Sequence, residues 1–226
     1  MSRPMSTDSA VVPGHLDGQQ TSTAAQHGPA GQHGSAGPHG FEVRSVHMTD
    51  PLVRPLLDDL ERTYLRLYAS LLGEEVLREE MAHYAPEEFV APDGDFVLVL
   101  DDGVPVAGGA FRLSVEPELG DPSLSRYPDA QRGTDGRTVA ATAELKRIWT
   151  HADHRRRGLA RIVLAELEDR AAAAGYGRIY LTTGSRQPEA AALYLRTGYT
   201  ALYDTDAAWT DADGPLAFEK WMLPPV

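Results

Sequence analysis

The sequence predicts a single α/β (α+β) domain, with a mixed central sheet flanked by helices, after a disordered N-terminal tail. Residues 41–226 alternate between strand-like and helix-like apolar patterns, in the order strand, helices, three strands, helix, strand, helix, two strands. Residues 1–40 contain almost no large apolar side chains, so they cannot bury enough surface to offset their conformational entropy. We therefore assign residues 1–40 to the tail and residues 41–226 to one domain.

The first predicted elements of the domain are a strand and two helices. Residues 41–46 alternate apolar and polar side chains, which is typical of a strand. Asp50 can cap free backbone N–H groups and Pro51 suits the first helical position, so a helix is expected to begin there. Leucines and tyrosines recur at helical spacing to about Leu72, and a shorter helix is expected near residues 74–84.

A hairpin and a long loop follow. Residues 96–100 and 104–113 are predicted strands joined by a turn at residues 101–103. Residues 117–137 are rich in Pro, Gly, Asp and Ser, and they form a longer connection than is usual inside a compact domain. Two interpretations of this loop are equally supported: a tolerated surface insertion, or a flap on the substrate side of the domain.

The C-terminal half alternates strands and helices. Its strongest amphipathic pattern predicts a helix over residues 158–174, which Gly175 is suited to end. The other predicted elements are strands at residues 139–149, 178–183, 199–203 and 216–222, and a helix from Pro188 to near Gly198.

Composition excludes several classes of function. A formal net charge of −12 argues against nucleic acid and anionic membranes as main partners, and it is compatible with a cationic substrate. The absence of cysteine removes disulfides, thiolate metal sites and a Cys nucleophile. His151 and His154 share one loop without a third ligand in view, so no metal site is predicted. No apolar window reaches the roughly 18 residues of a membrane span and no signal peptide is recognisable, so a cytoplasmic protein is expected.

One junction between a strand and a helix suits an anion. It consists of Arg155, Arg156, Arg157, Gly158, Leu159 and Ala160. The first N–H groups of a helix have no partner within it and carry partial positive charge, and Gly158 and Ala160 leave the backbone open to a ligand. Guanidinium groups add charge-assisted donors, so the pattern predicts a phosphate site. The alternative is a basic loop before an ordinary helix. No P-loop pattern is present.

Two segments around this junction resemble a known family. Residues 143–160 (AELKRIWTHADHRRRGLA) resemble the central motif of the GNAT superfamily of N-acetyltransferases. Residues 187–199 (QPEAAALYLRTGY) resemble the helix that follows it in that family. The flanking elements suit the same fold over most of residues 41–223. The resemblance implies the GNAT fold in a single domain, with acetyl-CoA as the acyl-donor cosubstrate and no metal.

The resemblance also implies which residues hold the cofactor. They are Ile148, Thr150, Arg155, Arg156, Arg157, Gly158, Leu159, Ala160 and Gln187, the last in place of the family's usual Asn. Backbone groups around Ile148 and Thr150 would pair with the pantetheine arm, which the side chain at 187 would help to hold. The N–H groups of residues 156–160 would bind the pyrophosphate, with Arg155 and Arg157 adding charge.

The chemistry needs a base for the protonated amine and an acid for the departing thiolate. Because neither a cysteine nor a G-x-S-x-G elbow is present, direct transfer in a ternary complex is the simplest route. Glu144 is the candidate base, acting directly or through water. Its alternative is a salt bridge with Lys146 or Arg147, or a solvated strand position. Tyr194 matches the family's tyrosine near the thioester sulfur and is the candidate acid. Its alternative is a core tyrosine.

The expected function is acetylation of the primary amine of a small molecule or amino-acid-like metabolite. Carboxylates such as Glu74, Glu79 and Glu87 could attract a cation, although a solvated helix face accounts for them equally well. Two alternatives stay open: acetylation of a protein N-terminus or lysine, and a CoA-binding module without catalysis. An open groove beside Tyr194, rather than a closed pocket, would favour a protein acceptor. The sequence leaves the amine, the acyl chain and the oligomeric state undecided, a homodimer included.

Overall fold

The centre of the molecule is a mixed sheet with helices on both faces. The computed structural model describes residues 34–36, 40–127 and 140–222, all of which belong to the compact unit Gln32–Val226. The predicted tail, residues 1–40, therefore lies outside the described residues except for 34–36 and 40. Residues 34–36 form a short strand at one edge of the sheet.

The described residues contain eight strands and four α-helices. The strands are β1 Gly34–Ala36, β2 Glu42–Ser45, β3 Asp95–Asp101, β4 Val104–Leu113, β5 Thr142–Thr150, β6 Arg178–Thr183, β7 Thr200–Ala201 and β8 Leu216–Trp221. The helices are α1 Arg54–Leu72, α2 Glu74–Ala82, α3 Leu159–Ala173 and α4 Pro188–Arg196. The spatial order is β1-β2-β3-β4-β5-β6-β8-β7, and all neighbours are antiparallel except β5 and β6.

The predicted elements are confirmed, with shifts at some ends. The start of the first helix is a 3-10 turn, Pro51–Val53, where the Asp50 carboxylate accepts from the Leu52 N–H at 2.8 Å. The strand predicted over residues 199–203 keeps only two residues. The N–H of Tyr199, the first residue of the predicted strand, donates instead to the Tyr194 carbonyl oxygen at 3.1 Å, and this bond closes the end of α4.

The long predicted loop and the strand after it fall partly outside the described residues. Residues 114–127 are described and include a 3-10 turn at Pro122–Leu124, whereas residues 128–139 lie outside the described part. The strand predicted from residue 139 begins at Thr142.

Two apolar clusters hold the helices against opposite faces of the sheet. Successive strand residues point to opposite faces, so the apolar run at residues 96–100 of β3 supplies both clusters. On one face, α1 packs in a cluster that includes Val53, Leu56, Phe96, Leu98 and Trp149. On the other face, α3 and α4 pack in a cluster that includes Val97, Val99, Leu145, Val163, Leu167 and Tyr194.

Candidate active site

Strands β5 and β6 part within the sheet. They pair only between residues 142–144 of β5 and 178–180 of β6. Strand β5 continues to Thr150 with its other edge on β4, and no described strand pairs with its β6-facing edge from Leu145 onward. An open strand edge offers N–H and C=O groups to an extended ligand. This stretch contains Ile148 and Thr150, the two strand residues that the family resemblance expects to pair with the pantetheine arm.

A β-bulge reshapes β5 just beyond the parting point. The register with β4 shifts after Gly108, so two β5 residues stand opposite one β4 residue. Arg147 adopts a left-handed φ of 59° there. As a result, consecutive side chains reach towards α2. Lys146 lines a cavity on that face, and Arg147 donates to the carbonyl oxygen of Met81 at 2.9 Å.

The loop before α3 has the backbone of an anion site. Arg156 and Gly158 both adopt left-handed φ angles, 62° and 81°. Among the described residues, no hydrogen-bond acceptor faces the N–H groups of Arg156, Arg157 or Gly158. A Cβ built on Gly158 would meet nothing within 4 Å, so the space in front of the helix is open. The N–H groups of Leu159 and Ala160 lie in the first helical turn. This donor set fits a pyrophosphate.

The three arginines of this loop differ in their surroundings. Arg155 and Arg156 are exposed, and within the described residues neither guanidinium has an ion-pair partner. Arg157 is partly committed: its Nη1 lies 3.3 Å from the Asp101 carboxylate and 2.7 Å from Nδ1 of His154. Positive charge is therefore available at this helix start from Arg155 and Arg156. The role of Arg157 towards phosphate stays a prediction.

Polar side chains stand at both ends of the open edge. Oε1 of Gln187 accepts from the Thr183 hydroxyl at 2.9 Å. This contact holds Gln187 beside the end of β6. At the other end, Oγ1 of Thr150 is buried and has no hydrogen-bond partner among the described residues. Buried polar atoms in folded proteins are nearly always paired, so this hydroxyl fits a site completed by a ligand.

A cavity of about 150 Å³ lies where β5 and β6 part. Glu144 and Tyr180, the last paired residues of the two strands, both line it. Further lining residues come from α2, from the segment after β4 and from Pro215. A cavity of roughly 150 Å³ can hold a ligand the size of benzene, so this space suits a small group.

Glu144 is a buried carboxylate of this cavity, with 4% of its surface exposed. Its Oε1 lies 2.8 Å from Nζ of Lys146, and its Oε2 lies 2.7 Å from an Nη of Arg112. The second contact is an ion pair without hydrogen-bond alignment. Glu144 therefore makes the salt bridge with Lys146 that is the alternative to its role as the base. Arg147 does not take part in it, because its guanidinium binds α2.

Arg112 is a site residue that the sequence patterns did not single out. It is 1% exposed and also pairs with Glu88 at 2.6 Å and Glu116 at 2.9 Å. A signal was available, because Arg112 is the only charged residue in the otherwise apolar stretch of β4. A charge in a buried strand requires partners of opposite charge.

Tyr84 lies between Lys146, which lines the cavity, and Arg112, which lies behind it. The Arg112 guanidinium carbon lies 4.4 Å from the ring centroid of Tyr84, and Nζ of Lys146 lies 4.6 Å from it. Burial acts to lower the pKa of Lys146, but the charge and hydrogen bond of Glu144, together with those of Tyr84, outweigh burial and the pKa is raised. Burial raises the pKa of Tyr84. At neutral pH Lys146 is therefore charged and Tyr84 is neutral.

Tyr194 lies on the opposite face of the sheet from Glu144. It is 5% exposed and packs with ring centroids 5.7 Å from Tyr199 and 5.4 Å from Phe218. It does not line the cavity that contains Glu144. Burial raises the pKa of Tyr194, and the nearby Tyr64 hydroxyl adds to this rise.

The two loop histidines have local roles. Nδ1 of His151 accepts from the N–H of Asp153 at 3.3 Å, and His154 contacts Arg157. Across the described residues, no group of three or more His, Asp or Glu side chains is arranged to hold a metal ion. In the same part of the chain, none of the helices combines the length and apolarity needed to cross a membrane.

An open strand edge that leads to a helix start, beside a small cavity with a buried carboxylate, is an arrangement that suits an acetyltransferase using acyl-CoA. The model of the acetyltransferase (GNAT) family matches residues 56–199, and the chain belongs to that family. The family, the mixed sheet and the single domain predicted from the sequence are thereby confirmed. No curated protein matches the chain in sequence.

Solved structures share this fold. An acetyltransferase from Streptococcus agalactiae is 19% identical, with a TM-score of 0.52 over 81% of this chain and 99% of that one. The PaiA N-acetyltransferase from Thermoplasma acidophilum, solved with coenzyme A, is 16% identical, with a TM-score of 0.53 over 80% and 98%. The GNAT domain of PAT from S. lividans is 16% identical, with a TM-score of 0.52 over 84% and 97%. At these identities the likeness establishes the fold alone.

Proposed function

We propose that the protein is an acetyl-CoA-dependent N-acetyltransferase that transfers the acetyl group directly to the primary amine of a small molecule. The observation that carries the proposal is the cavity of about 150 Å³ at the parting of β5 and β6. It is bounded by α2, by both strands and by the segment after β4, and its small volume favours a small acceptor group. A pocket of this kind suits a small acceptor.

The charges of the cavity favour a protonated amine. Three carboxylates line it, those of Glu80, Glu116 and Glu144, against the single cation of Lys146. Arg112 compensates Glu116 and Glu144 from behind, while Glu80 has no ion-pair partner among the described residues. An excess of negative charge at a binding surface attracts a cationic ligand and speeds its association.

The donor side rests on the open edge of β5 and the helix start at Gly158. The free N–H groups of Arg156, Arg157 and Gly158 would bind the pyrophosphate, and the strand edge around Ile148 and Thr150 would take the pantetheine arm. The PaiA protein, which shares the fold, was solved with coenzyme A. Acetyl-CoA as cosubstrate is therefore part of the proposal.

Glu144 and Tyr194 are the proposed acid–base pair. Both oxygens of Glu144 already face cations, so it would act through a water that takes the proton from the ammonium group. The nitrogen lone pair then bonds to the thioester carbonyl carbon, the C–S bond breaks, and the new amide nitrogen loses its second proton to water. Tyr194, whose raised pKa keeps its hydroxyl protonated, would donate the hydroxyl proton to the departing thiolate and regain one from that water.

An acceptor screen tests the proposal. Release of free thiol from acetyl-CoA is followed with propylamine, tyramine, lysine, spermidine, a peptide with a free N-terminus, and an N-blocked peptide with one lysine. We expect a small amine to exceed both peptides in kcat/KM by at least about tenfold, or about 1.4 kcal/mol. Turnover of peptides alone would establish a protein acceptor. Tight CoA binding without turnover of any amine would establish a module without catalysis.

Matched variants test the two assignments. Glu144→Gln should lower kcat about 100-fold and Tyr194→Phe about tenfold or more, since positioned acids and bases contribute about 10²–10⁴-fold. The controls are Glu166→Gln on the outer side of α3 and Tyr176→Phe, whose hydroxyl donates to the Asp93 carbonyl oxygen away from the cavity. If the first pair retains kcat within about twofold of its controls, the assignments are wrong.

A further inference from the structure

Residues 114–127, here called the wall segment, follow β4 and are fastened to the sheet along their length. The N–H of Ser114 donates to the Thr142 carbonyl oxygen at 2.9 Å, and the N–H of Asp121 donates to that of Leu202 at 2.7 Å. At the far end, the Tyr127 ring lies with its centroid 5.2 Å from that of Trp221. These anchors attach the segment to β5, to the residue after β7 and to β8.

Tyr180 supplies an anchor at the middle of the wall segment. Its hydroxyl accepts from the N–H of Leu119 at 2.8 Å and donates to the carbonyl oxygen of Leu119 at 3.3 Å. Burial raises the pKa of Tyr180, so the hydroxyl keeps the proton that it donates. Tyr180 and Leu119 also both line the acceptor cavity. One side chain therefore contacts the cavity and fixes the opposite wall of it.

A buried ionic cluster holds the segment on both sides of that anchor. Arg178 of β6 pairs with Glu118 of the wall segment and with Glu219 of β8 at 2.9 Å. Glu219 in turn accepts from the Ser125 hydroxyl at 2.6 Å and from the Arg126 N–H at 2.8 Å. The side chains of Arg178 and Glu219 are fully buried. Removing one member of such a cluster leaves an uncompensated buried charge, so the cluster resists opening.

We propose that the wall segment is a fixed wall of the acceptor cavity that determines which amines fit, and that Tyr180 is its positioning residue. The wall segment contributes Ser114, Glu116, Pro117 and Leu119 to the cavity lining. A flap would need few anchors in order to move, whereas this segment is hydrogen-bonded or ion-paired every few residues. The proposal rests on the proposed N-acetyltransferase function, because it concerns the acceptor of that reaction.

Tyr180→Phe tests the proposal, since it keeps the ring and removes both hydrogen bonds to Leu119. The probes are propylamine, tyramine and spermidine. We expect the KM of the preferred amine to rise about tenfold or more, because two neutral buried hydrogen bonds are lost. The KM of acetyl-CoA and the kcat should stay within about twofold, and the larger amines should gain in relative kcat/KM. Tyr176→Phe is the control, because it also removes a buried tyrosine's hydrogen bond, to Asp93, away from the cavity.

Hydrogen exchange of residues 114–127 gives a second readout that does not depend on turnover. A fixed wall exchanges slowly in the free protein, and the rate is unchanged by acetyl-CoA and amine but increases in Tyr180→Phe. Fast exchange in the free protein that slows only with both substrates would show a flap and overturn the proposal. An acceptor KM in Tyr180→Phe equal to that of Tyr176→Phe would also overturn it. If the wild type acetylates no amine, the proposed function fails, while the exchange rates still decide whether the wall is fixed.

Discussion

Gly158→Glu, compared with Gly175→Glu, tests where the pyrophosphate binds. The two glycines flank α3 at opposite ends, with left-handed φ angles of 81° and 92° and open space at each Cβ position. A residue other than glycine costs about 1–2 kcal/mol in this conformation, so both variants should lose a similar free energy of unfolding. The helix dipole makes the new carboxylate slightly less favourable at Gly175. A specific loss of CoA affinity in Gly158→Glu therefore cannot be attributed to misfolding.

The expected loss follows from Coulomb's law. A carboxylate at about 4 Å from one phosphate charge is repelled by about 1 kcal/mol in bulk water and by about 4 kcal/mol near a protein surface. Arg155–Gly158 are all exposed, so the lower value applies more closely. With two phosphate charges in reach, we expect CoA to lose about 2 kcal/mol of binding free energy, which raises its Kd about thirtyfold.

Isothermal titration with CoA at fixed ionic strength measures this difference, and thermal unfolding of both variants checks their stability. Added salt should narrow the difference, because exposed charges are screened over about 10 Å at 0.1 M ionic strength. Equal Kd values for the two variants, with both folded, would refute the reasoning and show that the pyrophosphate does not bind at the start of α3.

Two further predictions concern stability. Burial acts to raise the pKa of Glu219, but its hydrogen bonds and the charge of Arg178 outweigh burial and lower it. A lowered folded-state pKa adds stability above the unfolded value of about 4.3 that is lost as the pH falls. In urea unfolding, Glu219→Gln should therefore be less stable than the wild type by about 3–5 kcal/mol at pH 7, with a smaller gap at pH 4. The same difference in free energy of unfolding at pH 7 and pH 4 would contradict this linkage between stability and the pKa of Glu219. Gly94→Ala places a Cβ 2.3 Å from the Glu88 carbonyl oxygen, a backbone atom, whereas Gly177→Ala meets open space. The first should cost about 3 kcal/mol and the second should be neutral or slightly stabilising, and equal costs would argue against the backbone contact.

The sequence predicted those parts of the fold that depend on neighbours along the chain. Asp50 and Pro51 mark a helix start through local hydrogen bonding, and Gly175 marks a helix end through its φ angle, so both are readable without tertiary contacts. The free N–H groups of the first turn of α3 are equally readable, because they follow from the helix start alone.

The cavity could not be predicted in this way. It depends on where β5 and β6 part and on Arg112, which meets Glu144 across strands and Glu88 across a span of 24 residues. Sequence periodicity does not encode which strands are neighbours, and a single arginine in an apolar strand indicates only that some partner exists. The wall segment shows the same limit. The loop predicted over residues 117–137 is rich in Pro, Gly, Asp and Ser, which fits a surface insertion and a flap equally, whereas the anchors of its described part come from residues such as Tyr180 and Glu219, more than 60 positions away.

The opposite placement of Glu144 and Tyr194 bears on the order of the proposed reaction. The cavity with Glu144 opens on the α1 and α2 face, and Tyr194 of α4 packs against the other face, so the opening between β5 and β6 is the common boundary. An amine held on one face and a thioester held along the open edge would meet there without exchanging places. Direct transfer needs both substrates bound together, and this arrangement allows it. Proton removal from the amine and proton delivery to the sulfur would then occur at separate groups, so neither residue would have to serve as both acid and base.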